Sequence, residues 1–375
     1  MVHRKQAVPP SPTAPNHGAR VPSAAAGRPP TIEDVAREAD VSVGTVSNVL
    51  NIRGNVAAAR ITRVQAAIER LGYVPNGVAQ SLRRQRSRVV GLCAPLTTSA
   101  YFAALLEAFE DIAAAQGYEV MHVLSRQDPA LELRRIRALL ARKVDGLVVI
   151  PTAAPAAAFD AIVQSHVPAV VVDRLSRDER FDYVTVDDYG AMRAAANALL
   201  AIGHRRLLYV VRYPTLVTTR RRVAAFRAAI RAVPGATGEL AVREPDDAAF
   251  AASIGAILAR TDRPTAAIAS NSALTIALLR ILRRERVAIP GDLSLVSFDA
   301  PEWADVLESP LAVVRPPVDA IARTAWELLL LRMHQASLPT RRIELQATLE
   351  LAASVAPPPT VTCSTRLERR LEADG

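Results

Sequence analysis

Apolar residues recur three and four apart over Thr31–Asp40, where Ile32, Val35, Ala36 and Ala39 fall on one side of a helical wheel. A threonine stands before the run and acids fill its first turn, so the spacing predicts a short helix capped by Thr31. After Asp40-Val41 a second cap, Ser42, opens the run to Leu50. Its inward residues are Val46, Val49 and Leu50, while Val43, Gly44, Thr45, Ser47 and Asn48 point elsewhere. A third helical pattern, over about Ala57–Leu71, carries Ile61, Val64, Ala67, Ile68 and Leu71 and ends at Gly72. Three such helices close a minimal core, and the first two form a helix-turn-helix.

From Val89 the pattern changes to short continuous apolar runs separated by amphipathic stretches. Val89–Ala94, Val144–Ile150, Val167–Val172, Leu207–Val211, Ala266–Ala269 and Leu293–Phe298 have strand length, and Phe102–Gln116, Ala130–Arg142, Ala191–Ile202, Arg221–Ala232 and Ala273–Arg284 have helical period. Strands apolar on both faces and alternating with helices predict parallel sheets covered on both sides. The stretch is longer than one such sheet needs, so two lobes are expected. Residues 1–30, with Pro9-Pro10 and Pro29-Pro30 and no periodicity, read as a disordered basic leader; 31–75 as the helix-turn-helix domain; 76–88 as a hinge helix and linker; 89–355 as the two-lobed domain; and 356–375 as a flexible tail.

Charge sharpens this division. The net charge is +9, and residues 1–88 hold thirteen of the 46 basic residues but five of the 37 acidic ones. Nearly all the positive excess therefore sits in the first quarter of the chain, the electrostatic footprint of a polyanion-binding head on a near-neutral body. No apolar run is long enough to span a membrane and no secretory signal pattern opens the chain, so a cytoplasmic protein is expected. The two cysteines, Cys93 and Cys363, lie far apart without metal-binding spacing, and the six histidines show none either, so neither a disulfide framework nor a metal is expected.

Enzyme motifs are scarce: the chain has no GxSxG elbow, no HExxH, no GxGxxG after a strand and no phosphate-binding GxxxxGK[ST] loop. The adjacent Asp187-Asp188 diverge in direction and do not read as an acid/base pair. No enzyme and no cofactor are expected. Ligands of open α/β sheets bind beyond the carboxyl ends of the strands, where Thr97-Thr98-Ser99, Asp173-Arg174, Asn271-Ser272 and Asp299 fall. These residue types also cap helices, but four such groups together point to a site for a small polar molecule.

The head segments Thr31–Asn51 and Leu71-Gly-Tyr-Val-Pro-Asn76, with Val144-Asp-Gly146, Gly203-His-Arg-Arg206, Arg263-Pro-Thr265 and Pro290–Asp299, occur in the order and spacing of one family. Over roughly Thr31–Ala353 the sequence resembles the LacI/GalR family of bacterial transcription regulators. The resemblance implies an α-helical helix-turn-helix head followed by an α/β, two-lobed, periplasmic-binding-protein-like domain with parallel sheets. It also implies a homodimer on pseudo-palindromic double-stranded operator DNA.

By this resemblance the second helix enters the major groove and Val43, Gly44, Thr45, Ser47 and Asn48 face bases or phosphates, with Thr31 and Ser42 as phosphate contacts. Asn48 stands where arginine is common, which shifts the expected base preference from guanine towards adenine. The segment Asn76–Leu82 corresponds to a hinge helix that orders on DNA, with Leu82 as a minor-groove wedge beside Arg83 and Arg84. Asp173, Arg222, Asn271 and Asp299 match effector positions, and Tyr101, Phe102 and Trp303 are candidates to stack on a ring; together they favour a carbohydrate or related polyol. The expected function is a repressor gated by such an effector between the lobes.

Departures from the family pattern are Ser99-Ala-Tyr-Phe102, Asn271-Ser272, Asp299-Ala300 and the uncapped Ala57-Ala-Ala-Arg60. Ala100, Ser272 and Ala300 leave open a ligand-independent DNA-binding regulator whose cleft has lost its effector. A sugar-transport or sugar-processing protein would share the body but not the head.

Overall fold

The computed structural model describes residues 28–51, 56–74, 86–96, 99–299 and 301–359. The chain divides into two units, residues 1–80 and 81–375.

In the first unit α1 (Ile32–Glu38), α2 (Val43–Leu50) and α3 (Ala58–Leu71) enclose Val35, Ala36, Ala39, Val46, Val64 and Ala67. Ile32, Val49, Leu50, Ile68 and Leu71 close the edges of this core, so of the residues that the helical spacing turns inward only Ile61 stays outside it. Thr31 and Asp34 form a reciprocal capping box at α1, and Ser42 accepts the Thr45 N–H at 3.2 Å at α2. The start of α3 has no side-chain cap, as the alanines at 57–59 require; the lost cap costs about 1 kcal/mol. Gly72, at φ +59°, ends α3 in the left-handed conformation that glycine adopts without penalty.

The second unit holds two parallel α/β layers. Its elements are β1 (Val89–Ala94), α4 (Ala100–Ala115), β2 (Glu119–Leu124), α5 (Pro129–Ala141), β3 (Gly146–Val149), α6 (Ala156–Ser165), β4 (Ala169–Val172) and β5 (Asp182–Val186). There follow α7 (Asp188–Ala201), β6 (Arg206–Val211), α8 (Val217–Arg231), β7 (Thr237–Val242), α9 (Asp247–Ala259), β8 (Ala266–Ala269), α10 (Ser272–Arg284), β9 (Ser294–Phe298) and β10 (Ala312–Arg315). The last are α11 (Val318–His334), β11 (Arg342–Leu345) and β12 (Thr348–Glu350).

The sheets run β11-β5-β4-β3-β1-β2 and β12-β10-β9-β8-β6-β7, and every pairing is parallel except β10 with β12. The chain passes between the lobes at Val186–Asp188, Arg315–Val318 and Leu345–Thr348. Each sheet is buried on both faces: along β1, Val90, Leu92 and Ala94 join one cluster while Cys93 joins the other. Gly146 is where α11 comes closest to β3, because a Cβ there would lie 2.5 Å from the Met333 methyl and 2.9 Å from Leu329.

Two expectations about the termini of the body are corrected. Ser87 and Arg88 are tied to the body and not to a linker, because Asp145 accepts the Ser87 N–H at 2.7 Å, the Ser87 hydroxyl at 2.9 Å and the Arg88 N–H at 2.9 Å. Nor does a flexible tail begin at residue 356: the Ala356 N–H donates to Ser294 Oγ at 3.0 Å and its carbonyl lies 2.9 Å from His204 Nε2. His204, fully buried between Thr265 (2.8 Å) and Ser294 (3.1 Å), thus has a structural role. Burial lowers its proton affinity, which the Ala356 carbonyl opposes.

Candidate functional site

On α2, Val43, Gly44 and Asn48 are exposed together with the cap residue Ser42, whereas Thr45 and Ser47 are half-buried. Ser47 is partly engaged, since Asn51 Nδ2 donates to its carbonyl at 2.6 Å and approaches its hydroxyl at 3.3 Å. Asn48 keeps its amide without a partner among the described residues, and an amide that both donates and accepts can meet the edge of an adenine. Thr31 serves as the α1 cap: its N–H and its hydroxyl both donate to Asp34 Oδ2, at 2.9 and 2.8 Å. These bonds hold the Asp34 carboxyl below its ordinary range. Asn76, Leu82 and Arg83 lie outside the described residues.

In the body the carboxyl ends of the strands meet at a cavity of about 110 Å³ lined from both lobes. The first lobe contributes Ser99, Tyr101, Phe102, Gln127, Asp173 and Arg174; the second contributes Arg212, Tyr213, Thr218, Thr219, Arg222, Ser270, Asn271 and Asp299. Six of the seven candidate effector residues are therefore brought together. Trp303 is not among them, because the short 3-10 helix Glu302–Val306 turns it onto the apolar cluster of Leu295, Leu311 and Val313.

Asp173 and Asp299 follow β4 and β9 with φ of +68° and +69°, and each backbone N–H bonds across the sheet edge, to Val184 and Val314. The same strained turn ends two strands and swings a carboxylate towards the cavity from each lobe. Burial pushes both carboxyls up, Asp299 to about 6, against the pull of Arg222 on Asp299 and of Arg174 on Asp173. Asp299 accepts one N–H, from Ser272 at 3.3 Å. The buried Tyr101 hydroxyl lies near Asp173 without closing a hydrogen bond, and burial raises its proton affinity strongly.

The arginines are held from behind. Arg222 donates from Nε to Asp188 at 2.6 Å and from Nη1 to the Ser270 carbonyl at 3.1 Å, and stacks 4.1 Å over the Phe298 ring. Burial works against its charge, but Asp188 holds the group protonated. Asp187 instead accepts the Gly190 N–H as the cap of α7, so the two adjacent carboxylates do diverge. Arg174, nearly buried, donates to Gln127 at 2.9 Å and to the Pro151 carbonyl at 2.6 Å, with Nε 3.6 Å from Asp173. Asn271 caps α10 by accepting the Leu274 N–H at 2.9 Å, which leaves its amide nitrogen as the donor for a ligand.

Gln127, Arg212, Tyr213, Thr218 and Thr219 were not singled out in the sequence. Arg174 was visible as the neighbour of Asp173, but a loop glutamine or two threonines opening a helix carry no signal until the fold gathers them. Among the described residues no three His, Cys, Asp or Glu side chains are placed to hold a metal, and no helix is long and apolar enough to cross a membrane.

Comparison with known proteins agrees along the chain. Residues 31–76 match the profile described as bacterial regulatory proteins, lacI family, and residues 196–355 match a periplasmic binding protein-like domain. The HTH-type transcriptional regulator PtxS of Pseudomonas plecoglossicida is 32% identical over 330 residues, which cover 86% of this chain and 95% of that protein. The ribose operon repressor of Escherichia coli (strain K12) is 26% identical over 328 residues, covering 85% and 98%. Among solved structures, the lac repressor dimer bound to operator and the anti-inducer ONPF has the same fold, with a TM-score of 0.76 at 22% identity over 88% of this chain and 100% of that one. A complex of the transcriptional regulator CelR with cellobiose has a TM-score of 0.65 at 25% identity, covering 87% and 100%.

Proposed function

The chain belongs to the lacI family of bacterial regulatory proteins, DNA-binding transcription regulators and not enzymes, and we propose that it is a cytoplasmic homodimeric repressor released or strengthened by a polyol-like effector held in the interlobe cleft. The observation that carries the effector class is the pair of buried carboxylates, Asp173 and Asp299, which face a polar cavity with fewer donors than an ionised carboxylate accepts. A ligand with several neighbouring hydroxyls supplies those donors. The Arg222 fork, the Asn271 amide and the uncapped first turn of α8, where Thr218 and Thr219 stand, supply donors to its oxygens.

The mechanism is linkage. A ligand gripped by groups of both lobes favours one arrangement of the lobes, and a few kcal/mol of differential affinity is enough to change the population able to bind operator. The Arg221–Glu344 ion pair, 2.5 Å long beside a lobe crossing, is one contact such a rearrangement would remake. The head of each protomer reads one half-site through α2, with Asn48 towards a base, while Leu82 wedges the centre of the site and Arg83 and Asn76 hold its backbone. The proposed division of the chain is a head over 31–75, a hinge to about residue 86, and the body beyond.

The test is to select duplexes from a random library with the full chain, then to titrate the best duplex in the presence of sugars, polyols and sugar acids. A palindromic duplex whose affinity one of these compound classes changes by tenfold or more supports the reading. A specific duplex that no compound affects would favour a regulator without an effector, a reading supported by the small cavity and by the prior engagement of Arg222 with Asp188.

A further inference from the structure

The first-lobe sheet is parallel throughout, so the starts of β1, β3, β4 and β11 lie at one end, opposite the cleft. The chain coming from the head enters the body at this end, through Arg86–Arg88. A recess of about 560 Å³ opens there, lined in part by Arg86, Lys143, Asp145, His166 and Arg332.

The charges around it are not balanced locally. Asp145 is engaged by the Ser87 and Arg88 N–H groups, and Arg332 is already neutralised by Asp182 through bonds of 2.6 and 3.0 Å. Arg86 and Lys143 are exposed and their side chains have no partner among the described residues. The same is true of Arg142, which closes α5, and of Arg341, which precedes β11. A helix dipole accounts for cations at the end of α5. It does not account for four cations without a side-chain partner among the described residues, drawn from the segment before β1, a helix end and the start of an edge strand.

We propose that this end of the first lobe is a second DNA-binding surface, which holds phosphates of the duplex flanking the sequence read by the head. The inference rests on the DNA-binding reading above. Long exposed side chains spread over this end of the lobe, of which Arg86 and Lys143 line the open recess, suit a continuous polyanion, since a site for one small anion is built from buried, converging donors. The tether favours the same partner, since the DNA-reading head is joined to the body at this end of the lobe, with eleven residues between Val74 and Arg86.

The experiment compares the full chain with an Arg142→Gln/Lys143→Gln variant and with an Arg86→Gln/Arg341→Gln variant. The probes are a core duplex selected by the wild type and the same core extended by about ten base pairs on each side. Both variants should keep the wild-type melting temperature, because none of the cations removed has a side-chain partner among the described residues. On the extended duplex each should bind about tenfold more weakly, and the dependence of log affinity on log salt should become shallower by about 2 to 4 for a dimer. On the core duplex both should match the wild type.

Wild-type affinity and salt slope on the extended duplex would overturn the proposal. Equal losses on both duplexes would overturn it too, because the cations would then act as a diffuse field and not as flank contacts. Failure of the wild type to select any duplex would instead sink the DNA-binding reading beneath it.

Discussion

Asp299→Asn should stabilise the ligand-free protein at neutral pH while abolishing its response to effector. The Asp299 carboxyl is raised from an ordinary 3.8 to about 6 because burial outweighs the attraction of Arg222 and the single Ser272 N–H. Ionising it in the folded chain is therefore harder than in the unfolded chain by about 3 kcal/mol, as an order of magnitude. The sign follows from the raised value. Below about pH 4 the group is protonated in both states and imposes no penalty; the penalty grows as pH rises from 4 to 6 and is complete above the folded value. Asparagine is neutral throughout, tolerates the φ of +69° at this position, and can still accept the Ser272 N–H.

In a body of this size the gain is worth roughly 6 to 10 °C of melting temperature. The assay is a pair of thermal melts, wild type and variant, at pH 4 and pH 8, followed by the effector titration at pH 8. The variant should match the wild type at pH 4, melt higher at pH 8 and lose its response to the ligand. An equal or lower melting temperature at pH 8, or the same difference at both pH values, would refute the claim that this carboxylate is held under electrostatic strain to serve a ligand.

Further outcomes follow from the same physics. Effector affinity should fall about tenfold per pH unit below about 6, because hydroxyl donors favour the ionised Asp299 and binding then releases a proton; titration at pH 5 and pH 7 checks this. Asp188→Ala strands the Arg222 guanidinium in a buried place and should cost about 3 to 5 kcal/mol in denaturant unfolding, against about 1 kcal/mol for Asp187→Ala, which removes a helix cap. Asp145→Ala should cost about 1 to 3 kcal/mol and speed amide exchange at Ser87 and Arg88, because their N–H groups lose their acceptor. Leu82→Ala should lower operator affinity by a large factor with little change in melting temperature, as expected of a wedge; lost stability with unchanged DNA binding would overturn that assignment.

Much of the fold was legible along the chain. Six central strands buried on both faces read as apolar runs, and β1 and β8 have the expected limits, but β5, whose residues Asp182–Val186 are interrupted by the polar Thr185, was missed although it is buried throughout. Edge and late strands were missed too: β2, half-exposed along its length, and the three- and four-residue β12 and β11 lack a continuous run. Their pairing depends on neighbours distant in sequence, as when β11 joins β5 across the whole second lobe.

The cleft divides in the same way. Asp173, Asn271 and Asp299 could be named because a polar residue that ends a buried strand stands at the ligand-binding end of a parallel sheet wherever the chain goes afterwards. Trp303 could not be placed, because the direction of a side chain on a short 3-10 turn is set by the cluster it packs against. Thr31 shows the limit for single groups: its type allows a cap or a phosphate contact, and only the distances to Asp34 show that the cap uses both donors.

Sequence alone determined what depends on local periodicity and on the order of elements: a helical head, a parallel two-lobed body, and carboxylates and amides where the strands end. Tertiary structure decided what depends on long-range contacts: that Asp188 holds Arg222 from behind, that Ala356 is bound beside His204, and that Arg86, Arg142, Lys143 and Arg341 share one end of a sheet. Periodicity records which face of an element is apolar, whereas burial, ionisation and unpaired charge arise from residues that only the folded chain brings together.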